Sequence, residues 1–408
     1  MNLRWAPLRQ AITLRQAIKL RQAITMTLSD SERERYSRHL LLPEIGVAGQ
    51  EQLKAARVLV IGAGGLGSPA SLYLAAAGIG TLGIVDHDRV DLSNLQRQLL
   101  FDTASVGRGK ALAARERLQA LNPDIDVQAH EIRLDAGNAL DLLGRYDCVV
   151  DGSDRLATRY LVNDACVLLR RPLVSAAIHR FEGQAMTYVP GGGPCYRCLF
   201  PHSAEGMVAN CAEAGVLGVL PGLLGALQAT ETLKIILGIG APLLGRLLTF
   251  DALAMQWREF RFTRRVDCAV CGEHPTITGL QPDRRRLSPA ELRDWLAAPA
   301  ARGGAPLLVD VREPAEYRLS RLAGAVNIPL GELPGRLAQM PADRALVFIC
   351  RSGGRSRAAC DIAARAGRRN PLDLEGGMLA WAQAVDQALE VAPYDPRPSD
   401  AATVGAGP

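Results

Sequence analysis

The chain has 408 residues, of which 48% are hydrophobic and 22% charged; this is a globular composition, and the length suffices for about two to three domains. So much apolar surface excludes disorder over the whole chain, because burying it offsets the entropy lost on ordering. Residues 1–25 hold five bases and no acid, so the remainder keeps 42 of the 47 bases against 42 acids and carries none of the net charge of +5. We therefore expect neither nucleic acid nor a membrane as a partner.

The N-terminal 25 residues repeat a hexapeptide, beginning at Leu8, Leu14 and Leu20. A period of six matches neither the 3.6 residues of a helical turn nor the two of a strand, so no continuous apolar face forms. An arginine-rich leader without acids also suits a targeting peptide. We interpret residues 1–25 instead as a low-complexity leader without native structure, upstream of a start at Met26.

Residues 26–275 alternate between predicted strands and helices. The strand at 57–61 leads into a glycine loop and a helix at 68–77, and a second strand follows at 81–85. Further strands are predicted at 148–150 and 173–176, and later ones, with antiparallel pairing, at 184–189 and 247–251. Strands that alternate with helices predict an α/β fold with a doubly wound, Rossmann-like, mostly parallel sheet. The apolar stretch at 216–245 contains prolines and charges that interrupt a membrane span, and it predicts buried helices or a subunit interface.

A Gly-x-Gly-x-x-Gly motif lies between the first strand and its helix; its glycines are Gly62, Gly64 and Gly67, with Gly65 as a fourth in the same loop. Backbone amides of such a loop receive phosphates at a helix N-terminus. Asp86 follows the next strand and suits a ribose hydroxyl. The motif predicts nucleotide binding, and by itself it favours a dinucleotide-dependent oxidoreductase.

Polar side chains at the same sheet edge favour ATP over a dinucleotide: Asn94, Arg97, Gln98, Lys110 and Asp154. Arg97 and Lys110 supply cations for a triphosphate, and the Asp154 carboxylate suits Mg²⁺. A dinucleotide requires neither. We therefore expect ATP and Mg²⁺ as cofactors of this site.

Two Cys-x-x-Cys pairs occur, Cys195 with Cys198 and Cys268 with Cys271. Four thiolates with this local spacing predict a closed, tetrahedral, structural Zn²⁺ site, which the fold must assemble because 70 positions separate the pairs. Nine cysteines without a secretory segment indicate a reducing compartment, the cytoplasm. Cys211 is either a small buried hydrophobe or a functional thiol, whereas three other cysteines are expected in the core: Cys148, Cys166 and Cys360.

A second, smaller α/β domain is predicted over residues 287–391, after an exposed linker at 276–286 and before a disordered tail at 392–408. Ser288 and Glu291 form a capping box for its first helix, and strands are predicted at 307–311 and 345–349. The second of these strands runs into a six-residue loop: Cys350, Arg351, Ser352, Gly353, Gly354 and Arg355. Backbone amides and two arginines around the Cys350 sulfur stabilise an anion, either a persulfide or the thiolate of a phosphatase-type loop.

Residues 30–275, from Arg35-Tyr36-Ser37-Arg38 to Cys271, resemble the ubiquitin-activating superfamily, and most closely the adenylyltransferases of molybdopterin synthase and of the thiamine sulfur carrier. The resemblance implies adenylation of a small ubiquitin-like sulfur carrier that ends in Gly-Gly. It implies ATP and Mg²⁺ at six matching positions, Asp86, Asn94, Arg97, Gln98, Lys110 and Asp154, and zinc at the four paired cysteines. It also implies a homodimer in which Arg38 reaches the partner's ATP, and a link between Cys211 and the carrier.

Residues 287–391 resemble a rhodanese sulfurtransferase. The motifs that carry this resemblance are the Cys350 loop, residues 308–314, residues 324–329 and Glu375-Gly376-Gly377. Arg321-Leu322 replaces the His-Ile usual in that family, which leaves the donor preference open. The resemblance implies a Cys350 persulfide, loaded by an upstream donor such as a cysteine desulfurase. Together the two resemblances imply a carrier thiocarboxylate as product, for molybdopterin biosynthesis or alternatively for thiamine, cysteine or tRNA thiolation.

Overall fold

The computed structural model describes residues 27–191, 193–201, 215–280, 286–368 and 370–391. The predicted leader, the predicted tail and Cys211 lie outside the described residues. The described chain forms two compact units, one within residues 27–280 and one within residues 286–391.

The first unit is an α/β structure. Its helices are α1 (Asp30–Arg35), α2 (Ser37–Leu40), α3 (Gly46–Ala55), α4 (Gly67–Ala76), α5 (Lys110–Leu121), α6 (Ala139–Gly144), α7 (Leu156–Leu168), α8 (Tyr196–Leu199) and α9 (Val219–Leu237). Its strands are β1 (Arg57–Ile61), β2 (Thr81–Val85), β3 (Asp126–His130), β4 (Cys148–Asp151), β5 (Leu173–His179), β6 (Glu182–Tyr188), β7 (Arg246–Asp251) and β8 (Gln256–Arg261).

The eight strands form one sheet in the order β3-β2-β1-β4-β5-β6-β7-β8. Pairing from β3 through β5 is parallel, and pairing from β5 through β8 is antiparallel, which confirms the predicted mostly parallel sheet with later antiparallel strands. The chain moves outward from β1 to β3 and then returns to place β4 on the other side of β1. The carboxyl ends of β1 and β4 therefore flank the crevice in which open α/β sheets bind ligands.

Helices cover both faces of this sheet, and successive side chains of β1 pack against opposite faces. Val58 and Val60 pack in a core with residues of α3, α4, α5 and α9. Leu59 and Ile61 point to the other face and pack with residues of α6 and α7. Burial of β1 on both faces explains why its sequence is a continuous apolar run rather than an alternating one.

The apolar stretch at 216–245 contains one long helix, α9, rather than several; it ends where Gly238 adopts a left-handed conformation with φ of +64°. Two polar residues that interrupt its apolar sequence, Gln228 and Glu231, are buried and hydrogen-bonded. The Gln228 side chain donates to the Asp151 carbonyl oxygen at 2.7 Å, and the Glu231 carboxylate accepts from the Leu243 amide at 2.7 Å. Among the described residues, none of the helices has both the length and the apolar character that crossing a membrane requires.

The second unit has a five-stranded, all-parallel sheet in the order β11-β10-β12-β13-β9. Its strands are β9 (Arg286–Leu287), β10 (Leu307–Asp310), β11 (Val326–Asn327), β12 (Leu346–Ile349) and β13 (Leu372–Leu374), and its helices are α10 (Pro289–Ala297), α11 (Pro314–Leu319), α12 (Leu333–Arg336), α13 (Gly354–Arg365) and α14 (Gly377–Ala384). The capping box predicted for α10 is present. The predicted linker overlaps β9 by one residue, since Arg286 pairs with Asp373 in that strand.

Candidate functional site

The glycine loop joins β1 to α4 at the point where the strand order reverses. Gly62 has a φ of +86°, in the left-handed region that favours glycine. A Cβ added at Gly67 would overlap the Gly62 carbonyl oxygen and lie 2.9 Å from the Gly62 carbonyl carbon. The close approach of these two glycines fixes a tight turn at the N-terminus of α4, which is the arrangement that receives phosphate in nucleotide-binding folds.

Asp86, at the end of β2, is tied directly to this loop. One carboxylate oxygen accepts the Ala63 amide at 2.8 Å, and the other accepts the Asp88 amide at 2.9 Å. Burial raises the pKa of the Asp86 carboxyl, although the charge of Lys110 and the two amides oppose that rise. The side chain therefore helps to hold the glycine loop, and the ribose contact remains a prediction.

Two of the predicted ATP-binding side chains lie against the glycine loop. A Cβ added at Gly65 would lie 3.6 Å from Arg97 Cδ, and one added at Gly64 would lie 3.9 Å from Gln98 Nε2. Gln98 is 4% exposed, and its Oε1 has no hydrogen-bond partner among the described residues. Asn94 ends the short 3-10 turn that precedes both residues. An unpaired buried amide oxygen beside a phosphate-binding loop is a group that a bound ligand can satisfy.

Lys110 begins α5, and its ammonium group is buried against an acidic partner that the sequence analysis did not identify. Its Nζ lies 3.3 Å from a carboxylate oxygen of Asp88, and the residue is 6% exposed. Asp88 and Asp86 each have a carboxylate oxygen within 4.8 Å of the other's, so the Lys110 cation is also near the predicted ribose residue, whose pKa it lowers. Asp88 lies three residues after the end of β2, and this position at the sheet edge is the sequence signal that could have identified it.

The turn after β4 places Asp154 at the same edge of the sheet. Asp151 is buried and accepts hydrogen bonds from the Ser153 amide at 3.0 Å and the Ser153 hydroxyl at 2.6 Å. A Cβ added at Gly152 would lie 2.9 Å from the amide nitrogen of Gly67, so this turn and the glycine loop are in backbone contact. Asp154 is exposed. Sequence analysis missed Asp151, which shapes the turn that carries Asp154.

Metal-binding side chains also cluster at this edge of the sheet. In the described part of the first unit, Asp86, His87 and Asp88 form such a group at this edge of the sheet, and Asp154 does not belong to one. Carboxylate oxygens are the donors that Mg²⁺ prefers, so the residue types fit the ion. Asp154 as a ligand remains a prediction.

Arg38 is exposed on α2, whose His39 lies 3.0 Å from the Gln50 side chain of α3. His39 also lines a cavity with Tyr73 of α4 and Thr230 of α9. Within the described residues, Arg38 makes no hydrogen bond or ion pair. Its guanidinium is therefore available to a ligand or to a second copy of the chain.

The four paired cysteines come together as predicted, and each of their sulfurs lies within 4.8 Å of the other three. Cys195 Sγ lies 4.0 Å from Cys198 Sγ and 3.7 Å from Cys268 Sγ, and Cys198 Sγ lies 3.4 Å from Cys271 Sγ. Hydrogen bonds with neighbouring thiols and burial both raise the pKa of the Cys195 thiol. A tetrahedral Zn²⁺ ion suits this donor set, because it makes four adjacent thiolates stable together.

The Cys195–Cys198 pair, at the start of α8, is also attached to α7. Arg197, between Cys195 and Cys198, forms a bidentate ion pair with Asp164 at 2.7 Å for each bond and stacks over the Tyr160 ring at 4.6 Å. A metal ion held by the four cysteines would therefore attach the end of the first unit to α7 as well.

Cys350 follows β12 and lies at the base of a loop that leads into α13. The Gly353 amide donates to its Sγ at 3.1 Å, and the Ser356 hydroxyl oxygen lies 3.4 Å from the same sulfur. Gly353 has a φ of +95°, which turns its amide toward the sulfur. The Met378 amide of α14 donates to the Cys350 carbonyl oxygen at 2.8 Å and fixes the base of the loop. This geometry suits a sulfur anion.

The sequence analysis placed the charges of both loop arginines around the Cys350 sulfur, but Arg355 forms an ion pair with a residue outside the loop. Arg355 donates from both terminal nitrogens to the carboxylate of Glu316, at 2.7 Å each. Its positive charge is therefore offset within the second unit instead of acting on the loop alone.

A buried ion pair lies next to this loop, since Asp310 pairs in the sheet with Ile349, the residue before Cys350. Arg312 donates to both carboxylate oxygens of Asp310, at 2.9 and 2.7 Å, and to the Ser320 carbonyl oxygen at 2.6 Å. At the departure from the rhodanese pattern, Leu322 is buried and Arg321 stacks over the Tyr317 ring.

The remaining described cysteines behave as core residues. Cys148, Cys166 and Cys360 are buried, and burial raises the pKa of the Cys148 thiol to about 12. Thiols in such surroundings are unreactive.

Comparison with known proteins agrees with both units. A model of the ThiF family matches residues 36–270, and a rhodanese-like domain model matches residues 288–384. MoeZ of Mycobacterium tuberculosis, described as a probable adenylyltransferase/sulfurtransferase, is 47% identical over 373 residues, which cover 87% of this chain and 94% of the relative. The adenylyltransferase and sulfurtransferase MOCS3 of Anopheles gambiae is 44% identical over 398 residues and covers 88% of each protein. Among solved structures, Escherichia coli MccB has a TM-score of 0.53 at 25% identity and covers 60% of this chain and 76% of its own. The chain therefore belongs to the ThiF family and, with a rhodanese-like domain after its ThiF domain, is an adenylyltransferase/sulfurtransferase.

Proposed function

We propose that the first unit uses ATP to adenylate the C-terminal Gly-Gly carboxylate of a small ubiquitin-like sulfur carrier. The observation that carries this proposal is the glycine loop at the reversal of strand order, with Arg97 and Gln98 against it and Lys110 beside Asp86. Two cations next to a phosphate-binding loop suit a triphosphate. A solved structure of the MccB relative, 26% identical with a TM-score of 0.52, is described as a complex with ATP.

Adenylation requires no general base, because the carrier carboxylate is ionised at neutral pH. Its oxygen attacks the α-phosphorus, the bond from that phosphorus to the bridging oxygen breaks, and the electron pair leaves with pyrophosphate. Arg97 and Lys110 neutralise charge that moves onto the leaving group, and the glycine loop holds the phosphates in line. Mg²⁺, held by Asp154 when bound, adds charge neutralisation on the phosphates.

The second unit would convert the acyl-adenylate to a thiocarboxylate. A persulfide on Cys350 attacks the acyl carbon, a carbon–sulfur bond forms, and AMP leaves with the electron pair of the broken acyl–oxygen bond. A thiolate then attacks the Cys350 sulfur, the carrier leaves as a thiocarboxylate, and a disulfide remains for an external thiol to reduce. Cys211 is the thiol that we assign to this step. Tethering both units in one chain raises the effective concentration of the persulfide.

We assign the reaction to molybdopterin cofactor biosynthesis in the cytoplasm, with a cysteine desulfurase as the persulfide donor. This pathway is supported by the resemblance of residues 30–275 to the molybdopterin-synthase adenylyltransferase. The test is to incubate the full chain with ATP, Mg²⁺, a persulfide donor and each candidate carrier, and to measure thiocarboxylate by intact mass. A product with the molybdopterin carrier supports the pathway, and a product only with a thiamine, cysteine or tRNA-thiolation carrier contradicts it.

The adenylation step has its own test, which is carrier-dependent exchange of pyrophosphate into ATP. We expect exchange with a carrier that ends in Gly-Gly and none with a carrier that lacks these residues. Asp154→Ala should abolish exchange, whereas Asp141→Ala, on the exposed face of α6, should not. Tight NAD binding without exchange would favour the dinucleotide oxidoreductase, and exchange by Asp154→Ala at the normal rate would contradict the magnesium assignment.

We also propose that the protein acts as a homodimer in which Arg38 of one copy contacts the ATP bound by the other copy. Support comes from exposed apolar residues on two helices of the first unit: Tyr73 of α4 is 59% exposed, and Val219 and Leu223 of α9 are 74% and 42% exposed. Tyr73 lines one cavity with His39, the residue after Arg38. Mixing the inactive variants Arg38→Ala and Asp154→Ala tests this, because a mixed dimer contains one site with both residues intact. Recovery of exchange on mixing supports the arrangement, and failure of two folded variants to complement each other contradicts it.

A further inference from the structure

The ion pair between Arg355 and Glu316 joins the persulfide loop to a helix that is remote in sequence. Arg355 lies in the first turn of α13 and Glu316 is the third residue of α11, 39 positions earlier. Each terminal nitrogen of the guanidinium lies 2.7 Å from one oxygen of the carboxylate, and the two side chains are 20% and 11% exposed. Bidentate, charge-assisted pairs of this kind are strong and geometrically specific.

The pair changes the charge that the loop presents to an incoming sulfur donor. Glu316 occupies two of the five N–H donors of Arg355 and places a negative charge beside the Cys350 loop. Burial is the largest single influence and raises the pKa of the Glu316 carboxyl, but the hydrogen bond and charge of Arg355, the Glu313 amide and the charge of Arg312 together outweigh it, and the pKa is lowered overall. The carboxylate is therefore ionised at neutral pH, and a dianion that enters the loop meets less net attraction than the two arginines alone would provide.

We propose that Glu316 is a specificity-determining residue that disfavours small dianionic sulfur donors and leaves thiol-bound persulfides as the preferred class. The proposal rests on the proposed transfer of sulfur to Cys350. Thiosulfate carries two negative charges, so its attraction to the loop depends on the Glu316 charge about twice as strongly as that of a monoanion. A persulfide on a thiol carries at most one charge on the reacting group.

Both donors load the same persulfide by balanced steps. With thiosulfate, the Cys350 thiolate attacks the sulfane sulfur, the bond between the two thiosulfate sulfurs breaks, and sulfite leaves with the electron pair. With a thiol persulfide, the thiolate attacks the terminal sulfur, and the donor leaves as a thiolate. Cyanide then removes the terminal sulfur as thiocyanate and restores the Cys350 thiolate, which allows turnover to be measured.

The test compares Glu316→Gln with Glu313→Gln in the full-length chain. Glutamine keeps an oxygen that can accept the Glu313 amide, a bond that Glu316 makes at 3.0 Å, but it lacks the charge. Glu313, the exposed N-cap residue of the same helix, provides the same change of net charge three residues away. A third variant, Glu316→Asp, keeps the charge and shortens the side chain. Thiosulfate and 2-hydroxyethyl persulfide, which has no other charged group, are the two donors.

We expect Glu316→Gln to raise kcat/KM for thiosulfate about three- to ten-fold at low ionic strength, and this gain should shrink at high salt because the charges are screened. Loading from 2-hydroxyethyl persulfide should change less than two-fold, and Glu313→Gln and Glu316→Asp should show no gain. Equal slowing with both donors would show that Glu316 only positions Arg355, and an equal gain in Glu313→Gln or Glu316→Asp would also overturn the proposal. If the unaltered protein forms no Cys350 persulfide from either donor, the proposed sulfur transfer itself fails.

Discussion

Replacing Gly67 with alanine tests whether the glycine loop is as tight as its geometry indicates. The added Cβ would overlap the Gly62 carbonyl oxygen and lie 2.9 Å from its carbonyl carbon, against the 3.4 Å or more of an ordinary van der Waals contact. Both atoms that it meets belong to the backbone, so no side-chain rotation relieves the overlap. The loop must shift by at least 0.5 Å relative to α4, as the difference between these two distances shows.

The magnitude follows from two effects. Overpacking of a well-packed site costs about 1–3 kcal/mol of unfolding free energy, so Gly67→Ala should lower the denaturant midpoint of the first unit. A displacement of this size at a phosphate-binding loop should also slow pyrophosphate exchange, by up to about 100-fold for a shift near 1 Å. Gly335→Ala is the matched control, because nothing lies within 4 Å of a Cβ at that helical position. Gly335→Ala should leave pyrophosphate exchange unchanged, and it should raise the free energy of unfolding slightly or not at all.

Urea unfolding and carrier-dependent exchange are the two assays, performed on the full chain for both variants. If Gly67→Ala unfolds and exchanges like the unaltered protein, the loop is not close-packed and its assignment as the phosphate site loses its physical basis. A loss of stability with full exchange in the folded fraction would place Gly67 in the fold but not in the site.

Three further predictions concern the metal, the second unit and pH. Cys268→Ala removes one of the four thiolates that we predict to hold Zn²⁺, and it should unfold the first unit, because a structural zinc site contributes about 10–16 kcal/mol of binding free energy to folding; metal analysis with thermal unfolding checks this. Asp310→Ala should destabilise the second unit by about 3–5 kcal/mol, since it leaves Arg312 buried without its carboxylate, and urea unfolding should show the loss. The pKa of Glu316 is lowered in the folded chain, so its contribution to stability is present above its ordinary value of 4.5 and is lost as pH falls through the folded value. In Glu316→Gln the urea midpoint should therefore fall less steeply as the pH decreases below 4.5. An unchanged fall would contradict the lowered pKa of Glu316.

Local sequence patterns predicted most of the strands that position the site. β1 and β2 begin and end at the predicted residues, because both are largely apolar runs followed directly by a glycine or an aspartate. β3, at Asp126–His130, was missed because it contains only two apolar residues, and β8 was missed because all of its residues are exposed. Strands whose apolar pattern is weak are held by pairing with a neighbour, and that pairing is not encoded locally.

Side-chain partners across the chain were the least predictable part of the site. The sequence indicated the residue types of the glycine loop, the cysteine cluster and the Cys350 loop, because each requires a fixed local spacing. Asp88 as the partner of Lys110, and Glu316 as the partner of Arg355, depend on where separate elements meet in the fold. Local spacing therefore predicted the nucleotide, metal and sulfur chemistry, and the structure supplied the electrostatic partners that modify it.

The central claim is that adenylation and sulfur transfer are carried out by separable units of one chain. Cys350→Ala tests it most directly, because this sulfur lies in the second unit and the predicted ATP residues lie in the first. The account predicts pyrophosphate exchange near the level of the unaltered protein, together with loss of sulfur transfer from a persulfide donor and of carrier thiocarboxylate. Collapse of exchange in a folded Cys350→Ala protein, or thiocarboxylate formation at the normal rate without Cys350, would contradict the account.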